Sequence, residues 1–264
     1  MILKNESYDI IIQAGQSNAE GAGQGEVENE YLPCDKVLYL TSAKQVEHTP
    51  ERVVVSYADE PFHFEIAQEE EKENKKIANF SLSFAKKYID EKKLQEGRKL
   101  LIIRAAIGGT GFKKGDWGIE DLIYQKMIEM TNYALSLNSE NRIVAFLWHQ
   151  GEHDAFEGNT PEKFYEQLFG LVQDLRHHYG NVPFIAGDFV NDWKSKNMEI
   201  SEPIINMIKA VVKNCGNAGF VETSDLLSNN QKLGNGDEVH FCREALYVLG
   251  ERYFECYKKI VGLI

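Results

Sequence analysis

Short apolar runs alternate along the chain with stretches in which apolar residues recur three and four positions apart. The second pattern is typical of helices that bury one face, and residues 119–137 are a clear example. The first pattern predicts strands that are covered on both faces, because a strand with one wet face would alternate polar and apolar residues. Five runs have this character: 8–14, 100–103, 143–147, 183–186 and 219–222.

Strand and helix therefore alternate five times, and no linker or internal repeat interrupts them. This order predicts an α/β protein whose five-stranded parallel sheet carries helices on both faces, joined by right-handed crossovers. We expect a single domain over residues 1–264.

The segment between the first two predicted strands has a weaker pattern. Residues 36–40 form a short apolar run that predicts an edge strand, and 44–68 are irregular, with 53–55 as the only strand candidate. A charge run at 69–73 precedes apolar residues at helical spacing, such as Phe80 and Phe84. This arrangement predicts a helix that begins with a solvated, acidic turn.

Composition narrows the class of protein. The 264 residues carry a net charge of −12, whereas nucleic acids and anionic membranes attract basic surfaces. None of the four cysteines belongs to a C-x-x-C pair, so we expect neither a disulfide framework nor a zinc ribbon. No apolar run reaches the roughly 20 residues of a membrane span, and the N-terminus lacks a signal-peptide core. We expect a cytoplasmic location and leave open the export of a processed form. The sequence gives no indication of the oligomeric state.

Polar or glycine-rich segments follow the predicted strands. They are 15–21, 108–111, 149–154 and, after a longer gap, 237–240. The carboxyl ends of parallel strands meet at one edge of a sheet, which is where open α/β sheets bind ligands. The order of elements therefore predicts a site at this edge.

Ser17 is the candidate nucleophile of that site. A serine hydroxyl needs a base to take its proton, and the base needs an acid to orient it. Asp237 and His240, three residues apart, can supply the acid and the base. On its own a D-x-x-H pair is more typical of a helix cap beside a surface histidine, and its weight comes from occurring together with Ser17. Gly108-Gly109, Gln150 and the backbone N–H of Ser17 are candidate donors to an oxyanion.

Two other kinds of site compete with this interpretation. His149, Glu152 and His153 spell H-x-x-E-H, a metal-dependent hydrolase pattern that needs both histidines on one helical face. Gly151 and the strand-like run before it make that face doubtful. We therefore interpret the histidines as loop residues, and Glu152 with Asp154 as a buried polar network. The second alternative is a non-catalytic protein that binds a ligand at this edge.

Together these segments resemble the SGNH hydrolase superfamily of GDSL-like esterases. Within it they are most similar to the sialate O-acetylesterase type, which includes carbohydrate esterase family six. The motifs that carry the resemblance are Gly15-Gln-Ser-Asn18 with Gly21, Gly108-Gly-Thr110, Trp148-His-Gln-Gly-Glu-His-Asp154, and Asp237 with His240. His153 departs from the pattern, since a small residue is more usual there.

The resemblance implies a flavodoxin-like, three-layer α/β/α catalytic domain that uses neither a metal nor a cofactor. It makes Ser17 the nucleophile, His240 the base and Asp237 its orienting acid. The oxyanion hole would consist of the N–H groups of Ser17 and Gly109 and the side chain of Gln150.

We therefore expect a serine esterase that removes O-acetyl groups from a carbohydrate through an acetyl-enzyme. The non-catalytic alternative is then a carbohydrate-binding protein on a hydrolase fold. Acetylated xylan, acetylated sialic acid and simpler acetyl sugars all stay open as substrates. Arg104 could bind a sialic acid carboxylate, although a pairing with Glu152 is the favoured interpretation. Further supporting or substrate-binding candidates are Gln16, Asn18 and Thr110, and candidates for stacking on a sugar are Phe112, Trp117, Trp148 and Trp193.

Overall fold

A computed structural model of the protein describes residues 6–72 and 74–263. In this part of the chain the strands are β1 (Ser7–Gly15), β2 (Val37–Thr41), β3 (Lys44–His48), β4 (Val53–Tyr57), β5 (His63–Ile66), β6 (Glu70–Lys72), β7 (Lys75–Ile77), β8 (Arg98–Arg104), β9 (Arg142–His149), β10 (Phe184–Gly187) and β11 (Ala218–Val221). The helices are α1 (Ser17–Glu20), α2 (Phe80–Asp90), α3 (Leu122–Ser136), α4 (Glu152–Phe156), α5 (Pro161–Tyr179), α6 (Asn191–Lys196), α7 (Met198–Cys215), α8 (Asn229–Leu233) and α9 (Arg243–Ile260).

A central sheet has the strand order β11-β10-β9-β1-β8-β2-β5. Its middle strand, β1, pairs in parallel with β8 and β9, and the side chains of Ile10, Ile11 and Ile12 are fully buried. Ile10 and Ile12 face a core shared with α3, α5 and α7, whereas Ile11 faces a core shared with α2 and α9. Successive strand residues point to opposite faces, so this alternation defines two helical layers around the sheet. The predicted three-layer α/β/α architecture is confirmed.

The number of strands differs from the prediction, since the sheet has seven and not five. All five predicted strands are present, and β2 and β5 extend the sheet beyond β8. Residues 36–40, expected at the edge, lie one position inside it, because β5 pairs with β2 in the antiparallel sense and forms the edge instead. That residues 1–264 form one domain stays a prediction.

The strand candidate at 53–55 is confirmed as part of β4, but the expectation that the rest of 44–68 is irregular is wrong, since this segment holds three strands. β3 and β4 form an antiparallel hairpin outside the main sheet, and β5 belongs to the sheet itself. Most residues of these strands are at least partly exposed. A half-exposed strand lacks the continuous apolar run by which the five buried strands were predicted.

The helix expected to begin at 69–73 begins later, at Phe80. Within the described residues, β6 and β7 pair as a second hairpin, and Asn74 takes a positive φ of 59° next to its turn. Residue 73, the last of the charge run, lies outside the described residues. Asn79 starts the helix, because its side chain accepts a hydrogen bond of 3.1 Å from the N–H of Ser81.

The helix predicted to start at Thr160 is α5, where the Thr160 side chain accepts a hydrogen bond from the N–H of Lys163 at 3.3 Å. Among the described residues, Cys34, Cys215, Cys242 and Cys256 carry free thiols. No described helix has both the length and the apolar character that crossing a membrane requires.

Candidate active site

Ser17 is placed by the abrupt end of the central strand. β1 stops at Gly15, the N–H of Gln16 donates to the carbonyl of His149 at 3.0 Å, and Ser17 then begins α1. Gly15 has a φ of 128°, and a Cβ there would lie 2.1 Å from the His149 carbonyl oxygen. Only glycine therefore lets the ends of β1 and β9 approach so closely. This approach sets Ser17 at the carboxyl edge of the sheet.

The structure brings Ser17, His240 and Asp237 together, as the sequence predicted. His240 Nε2 lies 2.9 Å from Ser17 Oγ, and His240 Nδ1 lies 2.8 and 3.0 Å from the carboxylate oxygens of Asp237. Asn229 donates to the same carboxylate at 2.8 Å. Burial opposes ionisation of Asp237, but the hydrogen bonds from His240 and Asn229 outweigh it and hold the pKa of Asp237 below its usual value.

The loop that carries Asp237 and His240 is tied to the rest of the edge through Asn18. The Asn18 side chain accepts from the N–H of Phe241 at 3.1 Å and donates to the carbonyl of Val239 at 3.0 Å. It also donates to Glu152 Oε1 at 3.0 Å. Asn18, next to the nucleophile, thus fixes the position of the loop at 239–241 relative to Glu152. This agrees with the supporting role suggested by its position in the sequence.

Two of the three predicted oxyanion donors lie at the cavity that contains Ser17 Oγ. Ser17 and Gly109 both line it, and the Gly109 N–H has no acceptor within residues 6–72 and 74–263. Gln150 is 1% exposed and is not part of the cavity wall. Its amide donates to Asp154 Oδ2 at 2.5 Å and to the carbonyl of Thr110 at 3.4 Å. A role for Gln150 in the oxyanion hole stays a prediction.

Gln16, at the cavity wall, and Thr110, outside it, each hold a neighbouring loop in place. The Gln16 side-chain oxygen accepts from the N–H of His153 at 3.1 Å, which ties α4 to the nucleophile segment. The Thr110 hydroxyl donates to the carbonyl of Ile107 at 2.7 Å and accepts from the Trp117 indole at 2.9 Å. Both side chains are buried and hydrogen-bonded, so each fixes a loop of the site.

The H-x-x-E-H segment is not a loop, so that part of the interpretation is wrong. His149 is the last residue of β9 and is fully buried, whereas His153 lies in α4. Burial lowers the pKa of His149 to about 3, and its Nδ1 lies 3.1 Å from the Tyr253 hydroxyl. The rest of the segment forms the expected buried network, in which Asp154 accepts from the N–H of Phe112 at 2.9 Å.

Glu152 is the most unusual member of this network. It is 2% exposed, and burial raises its pKa to about 7 against the hydrogen bond from Asn18. Glu152 Oε2 has no hydrogen-bond partner in the described chain. Within that same part, no three histidine, cysteine, aspartate or glutamate side chains are grouped so that they could hold a metal ion.

The favoured pairing of Arg104 with Glu152 is wrong. Arg104 instead pairs with Glu70, donates to the carbonyl of Glu20 at 2.8 Å and lies 4.8 Å from the ring centre of Tyr39. Glu70 reaches Arg104 because it belongs to the β6–β7 hairpin, which the sequence pattern did not predict. These contacts leave Arg104 engaged in the scaffold and not directed to a ligand.

The cavity at Ser17 has a volume of about 910 Å³. Trp193 lines it, whereas Trp117, Trp148 and Phe112 are at most 2% exposed and belong to the core. The sequence reasoning missed Phe156, which is 73% exposed at the cavity wall. A signal was available, because Phe156 is an aromatic residue in a short polar segment directly after the H-x-x-E-H motif. Further wall residues that the motifs did not include are Glu20, His48, Lys72, Lys75 and Glu238.

A serine, a histidine and an aspartate in hydrogen-bonded series beside a free glycine N–H are the parts of an ester hydrolase. The comparisons agree with this class. The family described as carbohydrate esterase, sialic acid-specific acetylesterase matches residues 7–259, and the chain belongs to this family. The predicted resemblance is confirmed, and the protein is an acetylesterase, a carboxylic ester hydrolase that acts on carbohydrates.

Two relatives of known sequence and one solved structure match this chain at low identity. A probable 9-O-acetyl-N-acetylneuraminic acid deacetylase of Escherichia coli (strain K12) is 21% identical over 232 residues, which cover 73% of this chain and 70% of that protein. A probable carbohydrate esterase of Arabidopsis thaliana is 26% identical over 179 residues, which cover 66% and 65%. The crystal structure of NanS matches with a TM-score of 0.75 at 18% identity, covering 98% of this chain and 99% of that one. At this identity, the match establishes the fold.

Proposed function

We propose that the protein is a serine esterase that removes O-acetyl groups from acetylated sialic acids through an acetyl-enzyme at Ser17. The observation that carries the mechanism is the continuous series from Ser17 Oγ to His240 Nε2, at 2.9 Å, and from His240 Nδ1 to Asp237, at 2.8 Å. A hydroxyl in this position can lose its proton to the imidazole as it attacks.

In the first half of the reaction, Ser17 Oγ bonds to the ester carbonyl carbon while its proton passes to His240 Nε2. The carbonyl oxygen becomes an oxyanion, which the N–H groups of Ser17 and Gly109 stabilise. Asp237 stabilises the imidazolium without taking its proton. The carbon–oxygen bond to the sugar then breaks, and His240 gives the proton to the sugar oxygen, which leaves as a hydroxyl.

In the second half, water attacks the acetyl carbon of the acetyl-enzyme and gives a proton to the same imidazole nitrogen. The tetrahedral intermediate uses the same N–H donors. When it collapses, the bond to Ser17 Oγ breaks, the serine recovers its proton from His240, and acetic acid leaves and ionises. The two halves need no other reactant than the ester and water.

The preference for a sialic acid rests on the family and on the cavity wall. The Escherichia coli relative is named for an acetylated neuraminic acid, a sugar with a carboxylate. Lys72 and Lys75 of the β6–β7 hairpin line the cavity, and Lys75 has no carboxylate within 4.0 Å in the described chain. Arg104 and Lys72 both pair with Glu70, Lys72 at 3.5 Å, so Lys75 is the wall cation that a substrate carboxylate would meet.

The mechanism is tested with p-nitrophenyl acetate and Ser17→Ala. Removal of the nucleophile from such a triad typically costs a factor of about 10⁶ in kcat. A variant that keeps its full rate would refute the proposed nucleophile. Labelling by a serine-directed phosphonate should also stop in Ser17→Ala.

The substrate is tested by measuring acetate release from 9-O-acetyl-N-acetylneuraminic acid and from acetylated xylan. We expect a higher kcat/KM for the sialic acid, and an increased KM for it in Lys75→Ala. A higher kcat/KM for acetylated xylan would refute the substrate proposal and leave the serine mechanism intact.

A further inference from the structure

Glu20 contacts the glycine loop of the site from the same short helix that carries Ser17. The N–H of Gly108 donates to Glu20 Oε2 at 2.8 Å. Ser17 and Glu20 are the first and last residues of α1, three positions apart, so their side chains share one face of its single turn. One turn of helix thus presents both the nucleophile and a carboxylate to the same loop.

This contact gives two consecutive N–H groups different roles. The Gly108 N–H is taken by Glu20, whereas the Gly109 N–H has no acceptor in the described chain. A Cβ on Gly108 would lie 3.2 Å from Glu20 Oε2 and 3.4 Å from Ser17 Cβ, so the loop lies directly against both side chains. Gly109 also needs its φ of 73°, which an L side chain rarely adopts. The loop therefore has one donor anchored and the next one free.

The scaffold holds Glu20 at its other end as well. Arg104 donates to the Glu20 carbonyl oxygen at 2.8 Å, and Arg104 is itself fixed by Glu70 and the Tyr39 ring. Lys44 lies beside them, with its Nζ 3.5 Å from the carbonyl of Ala106, two residues before Gly108. These cations compensate the negative charge of Glu20, which would otherwise oppose an oxyanion formed nearby.

We propose that Glu20 is a positioning residue of the oxyanion hole. By accepting the Gly108 N–H, it fixes the loop so that the Gly109 N–H, with that of Ser17, points to the ester oxygen. The proposal rests on the serine mechanism above. It concerns a hydrogen-bond acceptor and not a charge, so a neutral acceptor of the same length should serve equally well.

The test compares Glu20→Ala, Glu20→Gln and Glu20→Asp, with Glu166→Ala on the exposed side of α5 as the control. Loss of one oxyanion donor costs roughly 10²–10³ in kcat, so a loosened donor should cost at least about tenfold. We expect that loss in kcat for Glu20→Ala, with KM for p-nitrophenyl acetate within threefold of wild type. Glu20→Gln should keep at least a third of the wild-type kcat, because its amide oxygen accepts the same bond. Glu20→Asp keeps the charge but is one methylene short, and should resemble Glu20→Ala.

Three results would overturn the proposal: Glu20→Ala within twofold of wild-type kcat, Glu20→Gln as impaired as Glu20→Ala, or Glu20→Asp with full activity. Thermal unfolding identifies variants that fail to fold. If Glu20→Ala fails to fold, the kcat values of Glu20→Gln and Glu20→Asp decide the question. Ser17→Ala distinguishes a failure of the proposed function from a failure of this inference. Full activity in Ser17→Ala refutes the proposed function. If Ser17→Ala is inactive but the Glu20 variants keep the wild-type kcat, this inference alone is refuted.

Discussion

The buried carboxyl of Glu152 gives the protein a pH-dependent stability that one substitution should remove. Its pKa is raised by burial from 4.5 to about 7. The folded protein therefore binds this proton more tightly than the unfolded chain does. The resulting stabilisation is present at low pH and is lost as the pH rises from about 4.5 to about 7. Glu152→Gln has no such proton to lose.

The difference between the two pKa values sets the size of the effect. At 1.36 kcal/mol per pH unit it amounts to about 3 kcal/mol, of which about 2.5 kcal/mol falls between pH 5 and pH 8. We expect the free energy of unfolding of Glu152→Gln, relative to wild type, to rise by up to this amount between those pH values. Any cost of the new amide that does not depend on pH cancels in the comparison.

The assay is urea unfolding of both proteins at the two pH values, with Glu166→Gln as the control for the substitution itself. Groups that do not interact with position 152 titrate equally in wild type and variant, so their contributions cancel in the difference between the curves. If Glu152→Gln differs from wild type by the same amount at pH 5 and pH 8, the reasoning from burial is refuted.

Four further predictions concern other parts of the site. Asp237→Asn should lower kcat for p-nitrophenyl acetate by roughly 10⁴, because the acid no longer holds the right imidazole tautomer. Asn18→Ala should lower the free energy of unfolding, measured in urea, by about 3 kcal/mol, since buried polar groups of Glu152 and of the last loop lose a partner. Phe156→Ala should raise KM for an acetylated sugar but not for p-nitrophenyl acetate, because this exposed ring lies at the cavity wall. Dialysis against EDTA should leave kcat unchanged; a loss that zinc restores would support the metal-dependent alternative.

The layers of the fold could be predicted because the strands that form them are buried on both faces. Ile10, Ile11 and Ile12 form an unbroken apolar run for that reason. Among β3 to β7, only residues 53–55 of β4 could be predicted in this way, because most residues of these strands are exposed or half-exposed. β5, for example, is defined by its antiparallel pairing to β2 and not by its own composition.

The nucleophile, the base and its acid could be predicted because each lies in a short motif with a fixed spacing. The pairing of Arg104 could not, because its partner Glu70 lies 34 positions away in an unpredicted hairpin. Gln150 shows a different limit. The end of the predicted strand indicates where Gln150 lies in the fold. Only the structure shows that its side-chain amide donates to Asp154 at 2.5 Å, so that Asp154 competes with an oxyanion for this amide.

The distance between the nucleophile and the base depends on more than the bond between them. Asn18 follows Ser17 and holds the N–H of Phe241, which follows His240. The carbonyl of His240 also accepts from the N–H of Asn229 at 2.8 Å. Two backbone contacts therefore fix the histidine from outside the triad. Loss of the serine hydroxyl should leave His240 where it is, so Ser17→Ala tests the nucleophile without moving the base.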